Sequence, residues 1–515
     1  MSAGTPAPHV NVSEMLAHIR RKGVKLWQED GTLRFAAPKG TLSVQELDQL
    51  KTFKAQIVSF LRDDTRTMDV VRVPRSSRAP LAFTQQSDWQ FMRLGELRRM
   101  RQIASATHLN GGLEVATLRA SVAEMVRRHE ALRTRIVVVD EVPAQEIDEV
   151  GRLELEVEDL SAVPGDSRDE TLRGLIDSII LAPVDEIEAS PCAIRLVRLA
   201  DQEHALIIAM DHLVSDAYSM SVLLRELLTT YAQRVGGRTR LLPAISIQFP
   251  AYALSQQASL KTWEEEHLAY WSERLQGCGR LMFPVGEGSQ PNASGWSGVP
   301  LEIDAKMRAE LLGWCRSMRT TLVLAVFTAY LALVLRWCGT NDAVVQFQTD
   351  GRLERGLRHT VGYFASVLHL RLQLLPSDTF VDLLSQATRE YCLAYQHADC
   401  SYLAARVPRP DIVRSTMFNW VPEEDPAVAA GSAIGELGLA SRPFPFENPA
   451  LRHYTFDRDP VIQLFDDGAE VTGGVFFPLR RFAPDAMRRF AGNFLMMLRQ
   501  LLRNPEQTVQ GIMLE

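Results

Sequence analysis

The sequence predicts an α/β protein: two mixed lobes of similar size behind a small N-terminal helix–β-hairpin–helix unit. Three observations predict it. The chain has 515 residues, more than one ordinary core holds. Strand-like runs alternate with amphipathic helical runs through both halves, the pattern of layered α/β architecture. Asp30-Gly31 sits between two alternating segments near the N-terminus, a strong two-residue hairpin signal.

Composition narrows the function. The chain is 46% hydrophobic and 23% charged, with a net charge of −7. That balance suits a globular protein and argues against a nucleic-acid binder, which presents a basic face. Six cysteines stand at 192, 278, 315, 338, 392 and 400 with no C-x-x-C pair. They read as reduced thiols rather than a disulfide framework or a zinc ribbon. The first residues lack a basic segment followed by an apolar core, so no secretory leader is expected. "TTLVLAVFTAYLALVLRWCG" (Thr320 to Gly339) has the length of a membrane span. It is a single such run, and a buried core helix has the same signature. No membrane partner and a cytoplasmic monomer are expected.

The elements follow in order. "VSEMLAHIRRKG" starts a helix after Ser13 and stops it at Gly23. "VKLWQEDGTLRFAAP" is the hairpin. Ser43 with Glu46 three residues on is a capping box opening a second helix through Leu47, Leu50, Ile57 and Leu61. Residues 1–66 thus form one unit, and the charged, proline-containing stretch 67–79 is a linker. From 80 to 296 a first lobe mixes a helix at "LEVATLRASVAEMVRRHEALRT", a hairpin at "CAIRLVRLADQEHALIIAMDH" and helices at "SMSVLLRELLTTYAQ" and "QASLKTWEEEHLAYWSERLQGC". From 297 to 515 a second lobe repeats the mixture and ends in a hairpin and a long helix. A ligand site between the lobes is expected.

Two clusters carry chemistry. In the hairpin, Lys25, Arg34 and Lys39 lie near Trp27 and Phe35. They read equally as a solvated basic face or as a docking surface for an acidic peptide with an apolar anchor. In "MDHLVSDAYS", His212 stands at a strand end between Asp211 and Asp216. A structural histidine is one reading. A metal site needs convergent ligands, and adjacent strand residues point to opposite faces. A histidine at a strand mouth also suits a general base, with Asp216 folding back to fix the loop.

Resemblance adds to these readings. Residues 11 to 63, notably "RRKGVKLWQEDGTLRFAAPKG", resemble the TubC-type β-hairpin docking domains of natural-product assembly lines. This implies docking at Lys25, Trp27, Arg34, Phe35 and Lys39. Residues 78 to 515 resemble a nonribosomal peptide synthetase condensation domain. "DHLVSDA" matches the H-H-x-x-x-D-G motif at His212 and Asp216. "LAFTQQSDW", with Ser87 where Arg is usual, "RHEALRT", "IQFPAYALSQQ" and "YWSERL" follow in order. "TDGRLERGLRHTVGYFASVLHLR", with Ser366 where Asn is usual, "YQHADCSY" and "STMFNW" complete the set. The ordered set is far more specific than any one motif.

The resemblance implies two chloramphenicol-acetyltransferase-like lobes in a V with a central tunnel. It implies His212 as the residue that deprotonates or positions the nucleophile, and Asp216 paired with Arg352 as a structural anchor. It implies no cofactor or metal held by the chain itself, the acyl donor riding on the phosphopantetheine of a partner carrier protein. Asp211 and Ala217 depart from the motif, where His and Gly are usual. "DHLVSDAYS" also fits the D-x-x-x-x-D-x-x-S pattern of heterocyclization domains, but lacks their A-Y-x-x-G-R opening motif. No adenylation, carrier or thioesterase motif follows the second lobe. The expectation is a stand-alone acyltransferase recruited in trans to an upstream acyl or peptidyl carrier. It would release a polyketidyl or peptidyl chain onto an alcohol or amine, free or carrier-bound, as enzymes of enacyloxin-type lines do. The rival is a scaffold that docks carriers without turnover.

Overall fold

A computed structural model describes residues 24–29, 32–36, 42–54, 57, 78–93, 102–181, 190–237, 242–279, 281–285, 293, 295–352, 355–398, 400, 415–422, 434–435, 437–443 and 458–514. The N-terminal hairpin pairs β1 (Lys25–Glu29) with β2 (Thr32–Ala36), antiparallel. Then α1 (Val44–Thr52) starts at the expected capping box: the Ser43 backbone N–H donates to Glu46 at 2.8 Å and Glu46 N–H to Ser43 Oγ at 3.2 Å. The helix expected after Ser13 lies outside the described residues.

The first lobe begins with β3 (Arg78–Pro80) and α2 (Phe83–Arg93), followed by β4 (Gln102–Asn110) and α3 (Val115–Arg128). Next come β5 (Thr134–Val139), β6 (Val142–Ile147), β7 (Leu155–Asp159), α4 (Gly165–Leu181), β8 (Cys192–Ala200) and β9 (Glu203–Asp211). The helices α5 (Ala217–Val235) and α6 (Phe249–Leu275) complete it. The sequence places a helix from Gln257; α6 starts earlier, at Phe249, because Pro250 in its first turn needs no hydrogen-bond donor there.

β9 shows why this lobe forms. Its run Ala205–Met210 is buried throughout, as a strand covered on both faces must be. Leu206, Ile208 and Met210 pack with Leu118, Val122 and Met125 of α3 and Leu223 and Leu227 of α5. The alternate residues Ala205, Ile207 and Ala209 pack with Leu172, Ile176 and Ile179 of α4. Period-two alternation therefore feeds two cores from one strand.

The second lobe contains β10 (Trp296–Ile303), α7 (Ala305–Met318), α8 (Leu322–Trp337), β11 (Asp342–Thr349), β12 (Ser366–Gln373) and α9 (Phe380–Tyr395). β13 (Met417–Pro422), β14 (Ala440–Pro443), β15 (Val461–Asp466), β16 (Val471–Pro478) and α10 (Pro484–Arg503) follow. Its mixed sheet runs β10-β16-β15-β13-β11-β12. α8 lies in this core against Phe380 and Leu383 of α9 and Phe490, Phe494 and Met497 of α10. It is the buried helix the sequence predicts. Its 16 residues span about 24 Å, short of a bilayer's hydrocarbon core. No single described helix is long and apolar enough to cross a membrane; α7 and α8 pass such a test only as a pair bent by 100°.

The lobes exchange elements. β14, from late in the chain, pairs with β4 and edges the first-lobe sheet, whose order is β14-β4-β9-β8-β7. In return Trp271 and Leu275 of α6 are fully buried in the second-lobe core. A third, three-stranded sheet runs β3-β6-β5, and Ile136 of β5 packs with Leu213, two residues past β9. All six cysteines are free thiols.

Candidate active site

The β8–β9 hairpin ends one residue before His212, at Asp211, and His212 opens a short 3-10 turn to Val214. Asp211 is buried, and its Oδ1 accepts the Leu213 N–H at 2.9 Å. The carboxylate therefore caps the turn. His212 is half-exposed. Its Nδ1 lies 2.9 Å from the Ser215 carbonyl oxygen. A carbonyl only accepts, so Nδ1 carries the hydrogen and Nε2 keeps the lone pair of the neutral ring. The Ser215 hydroxyl donates back to the Asp211 carbonyl at 2.9 Å, which holds the turn shut.

From behind, fully buried Gln85 of α2 donates to the Leu213 carbonyl at 2.6 Å. Leu213 itself packs with Leu81, Trp89 and Ile136. Hence Leu81, Gln85 and Trp89 of "LAFTQQSDW" support the histidine turn from behind.

Asp216 caps α5 and is fully committed. It accepts six hydrogen bonds, from both Nη atoms of Arg352 at 2.8 and 3.0 Å, Ser219 N and Oγ, and the N–H groups of Phe364 and Ala365. Burial alone would raise its carboxyl, but the Arg352 charge and these bonds hold it below the usual range. The Arg352 guanidinium lies 4.4 Å from the ring centroids of both Tyr218 and Phe364. Ser219 Oγ also accepts from Arg352 at 2.9 Å and from Gly362 N at 3.0 Å. The structure thus brings Asp216 and Arg352 together as the sequence predicts. Ala217 is the first residue of α5 with no positive φ, so a side chain there brings no backbone strain.

Two glycines make the knot possible. Gly351 has φ +62°, and a Cβ there would lie 1.7 Å from the Phe364 carbonyl. At Gly362 a Cβ would lie 2.3 Å from the Phe249 side chain. Thr360 donates to the Ile247 carbonyl at 2.7 Å, tying in "IQFPAYALSQQ". "RHEALRT" anchors α5 further along, where Glu226 accepts from Arg128 at 2.7 Å and meets His129 at 2.9 Å.

Sequence reasoning missed the opposite wall. The Tyr363 ring sits 4.4 Å from the His212 ring, tilted by 52°. The Tyr363 hydroxyl donates to Asp88 Oδ2 at 2.8 Å. Like His212, both residues are half-buried. Burial raises the Asp88 carboxyl above its ordinary value, while the His212 charge and the Tyr363 bond pull it back. Burial and the neighbouring Asp88 charge push the Tyr363 phenol well up, so it stays a donor. The only signal for this pair was position: Asp88 stands next to last in one motif and Tyr363 sits between the glycine and phenylalanine of another.

Two backbone N–H groups just after His212 are engaged within the turn. Leu213 N–H is taken by Asp211, and Ser215 N–H is bonded to the His212 carbonyl at 3.4 Å. In the N-terminal hairpin, the register sets Lys25 opposite Ala36, Trp27 opposite Arg34 and Leu26 opposite Phe35. Lys39 lies outside the described residues. Among the described residues no group of three or more His, Cys, Asp or Glu side chains could hold a metal ion.

Comparison with known proteins gives two families. The condensation domain matches residues 75–419 and the TubC N-terminal docking domain residues 12–63. Bacitracin synthase 2 of Bacillus licheniformis is 22% identical over 525 residues, 98% of this chain. The isonitrile lipopeptide synthase of Mycobacterium tuberculosis is 28% identical over 477 residues, 87% of this chain. The chain spans only 19% and 18% of the lengths of those relatives. Among solved structures, the condensation domain of Monacolin K polyketide synthase MokA superposes with a TM-score of 0.72 at 18% identity, covering 84% of this chain and 99% of that one. SgcC5 of Streptomyces globisporus, solved with a naphthyl ethanediol and sucrose, gives 0.67 at 22%, covering 83% and 100%.

Proposed function

The chain belongs to the condensation-domain family and carries a TubC-type docking domain; from that premise we propose that it transfers a carrier-bound acyl group to an alcohol or amine. The observation that carries this reading is the state of His212. Its Nδ1–H is held by the Ser215 carbonyl, so in the neutral ring the proton-accepting nitrogen is Nε2.

Nε2 takes the proton of an acceptor O–H or N–H as that oxygen or nitrogen attacks the thioester carbonyl carbon. A C–O or C–N bond forms and a tetrahedral oxyanion develops. On collapse the C–S bond breaks, and the phosphopantetheine thiolate leaves with the proton His212 took up. The chain itself needs no cofactor, since phosphopantetheine arrives on the partner carrier.

The finer reading is a chain-releasing enzyme that meets its donor in trans, bringing a polyketidyl or peptidyl carrier to the hairpin of β1 and β2. Lys25, Arg34 and Lys39 supply charge for an acidic tail, and Trp27 and Phe35 an apolar anchor. Asp211 is engaged in capping the His212 turn, which favours simple condensation over ring formation.

Intact-mass spectrometry of an acyl-loaded carrier, incubated with the protein and candidate alcohols or amines, tests this directly. Loss of the acyl mass with appearance of an ester or amide is expected. Carrier binding without unloading by any acceptor would leave a non-catalytic scaffold instead. Lys25→Glu with Arg34→Glu should abolish carrier capture yet leave transfer from a minimal pantetheine thioester intact. Undiminished capture would move the docking site off the hairpin.

A further inference from the structure

A general base that takes a proton in a half-buried site becomes an imidazolium there, and its new charge needs a partner. Two of the nearby carboxylates are unavailable. Asp216 is neutralised by Arg352, and Asp211 faces the Leu213 N–H inside the turn. Tyr363 packs against the ring, and Asp88 of α2 accepts a hydrogen bond from its hydroxyl.

We propose that Asp88, oriented by the Tyr363 hydroxyl, is the counter-charge that His212 meets when it takes the acceptor's proton. The inference rests on the reading of His212 as the base. Tyr363 holds Oδ2 of Asp88 at 2.8 Å, while Oδ1 accepts no hydrogen bond among the described residues. Oδ1 is thus uncommitted, unlike both oxygens of Asp216. Burial raises the Asp88 carboxyl, and a charge on His212 opposes that rise, so the attraction is mutual. Asp88 takes no proton in the step. The proton passes from the acceptor to Nε2 and then to the departing thiolate, and Asp88 lowers the energy of the state between. This makes Asp88 a positioning residue that acts through His212, and Tyr363 the group that aims it.

The test reads the imidazole without any substrate. Diethyl pyrocarbonate modifies only the neutral ring, so its rate at His212 against pH, followed by peptide mass spectrometry, traces protonation. Asp88→Asn keeps shape and removes charge, and should move the midpoint down by about one pH unit. Tyr363→Phe should fall between Asp88→Asn and wild type. It leaves the carboxylate in place, so it serves even if Asp88→Asn does not fold. Coincident midpoints for the variants and wild type would overturn the proposal. In the transfer assay, Asp88→Asn should lower kcat with little change in acceptor KM and shift the acidic limb of the profile to lower pH. A loss confined to KM would also overturn it. Should wild type unload no carrier, the acyl-transfer reading falls while the shift in modification midpoint still decides the charge pairing.

Discussion

The two walls that meet at His212 differ in one physical respect, the number of polar valences left open. On one side, both Asp216 oxygens, the Ser219 hydroxyl and the two Nη atoms of Arg352 bond one another inside the protein, and Arg352 Nε, which has no partner among the described residues, is buried out of reach. On the other, His212 Nε2 and Asp88 Oδ1 keep open valences beside half-exposed rings. A closed network fixes geometry and has nothing left to offer a substrate. An open one has weaker structural claims but groups able to exchange protons. The difference assigns architecture to the aspartate of the motif and chemistry to its histidine, although only three residues separate them.

Breaking the closed wall should cost the most. Arg352→Ala strands a buried carboxylate, and roughly 3–5 kcal/mol of unfolding free energy should be lost in denaturant titrations. Asp216→Asn should fall in the same range, and a loss under about 1 kcal/mol for both would deny the pair its anchoring role.

The acid dependence sharpens the comparison, because one pH effect should come from neither wall. His369, in the second-lobe core against Trp271, is pushed down to about 4 by burial and the Arg458 charge. The unfolded chain takes up its proton at about 6.5, so the folded state loses stability as pH falls from there to about 4. That loss is roughly 3 kcal/mol. Asp216 acts in a separate window: its carboxyl is depressed in the fold, so its contribution is lost only as pH falls below the ordinary aspartate range. His369→Phe should flatten the stability curve between pH 6.5 and 4. An unchanged slope would place the acid sensitivity elsewhere.

Much of this was legible in the sequence, for reasons that differ by residue. β9 could be read because a strand buried on both faces must be continuously apolar, and α8 because a helix buried all round must be as well. Arg352 could be paired with Asp216 only through the ordered motif set, since 135 intervening residues carry no local signal. The exchange of β14 and α6 between lobes was not legible, because β14 is four residues long and its partner strand is set by tertiary contact. Asp88 and Tyr363 were invisible for a similar reason. Each reads locally as a polar residue beside an aromatic one, and only the fold sets them against His212.

The smallest expected effect concerns Asp211. Asp211→Asn removes charge but keeps a capping oxygen, and should cost under about 1 kcal/mol with transfer retained. Asp211→His restores the usual motif and should leave ester or amide formation in place. If instead either substitution abolishes a ring-closed product made by wild type, the turn aspartate has a chemical role.

The central claim separates chemistry at His212 from architecture at Asp216. The most direct test is single-turnover transfer from a pantetheine thioester by His212→Ala, with a thermal melt on the same sample. The expected result is a wild-type melting temperature with transfer slower by about 10²–10⁴-fold. Transfer within a few-fold of wild type by a normally folded variant would contradict it and move the proton transfer to another group.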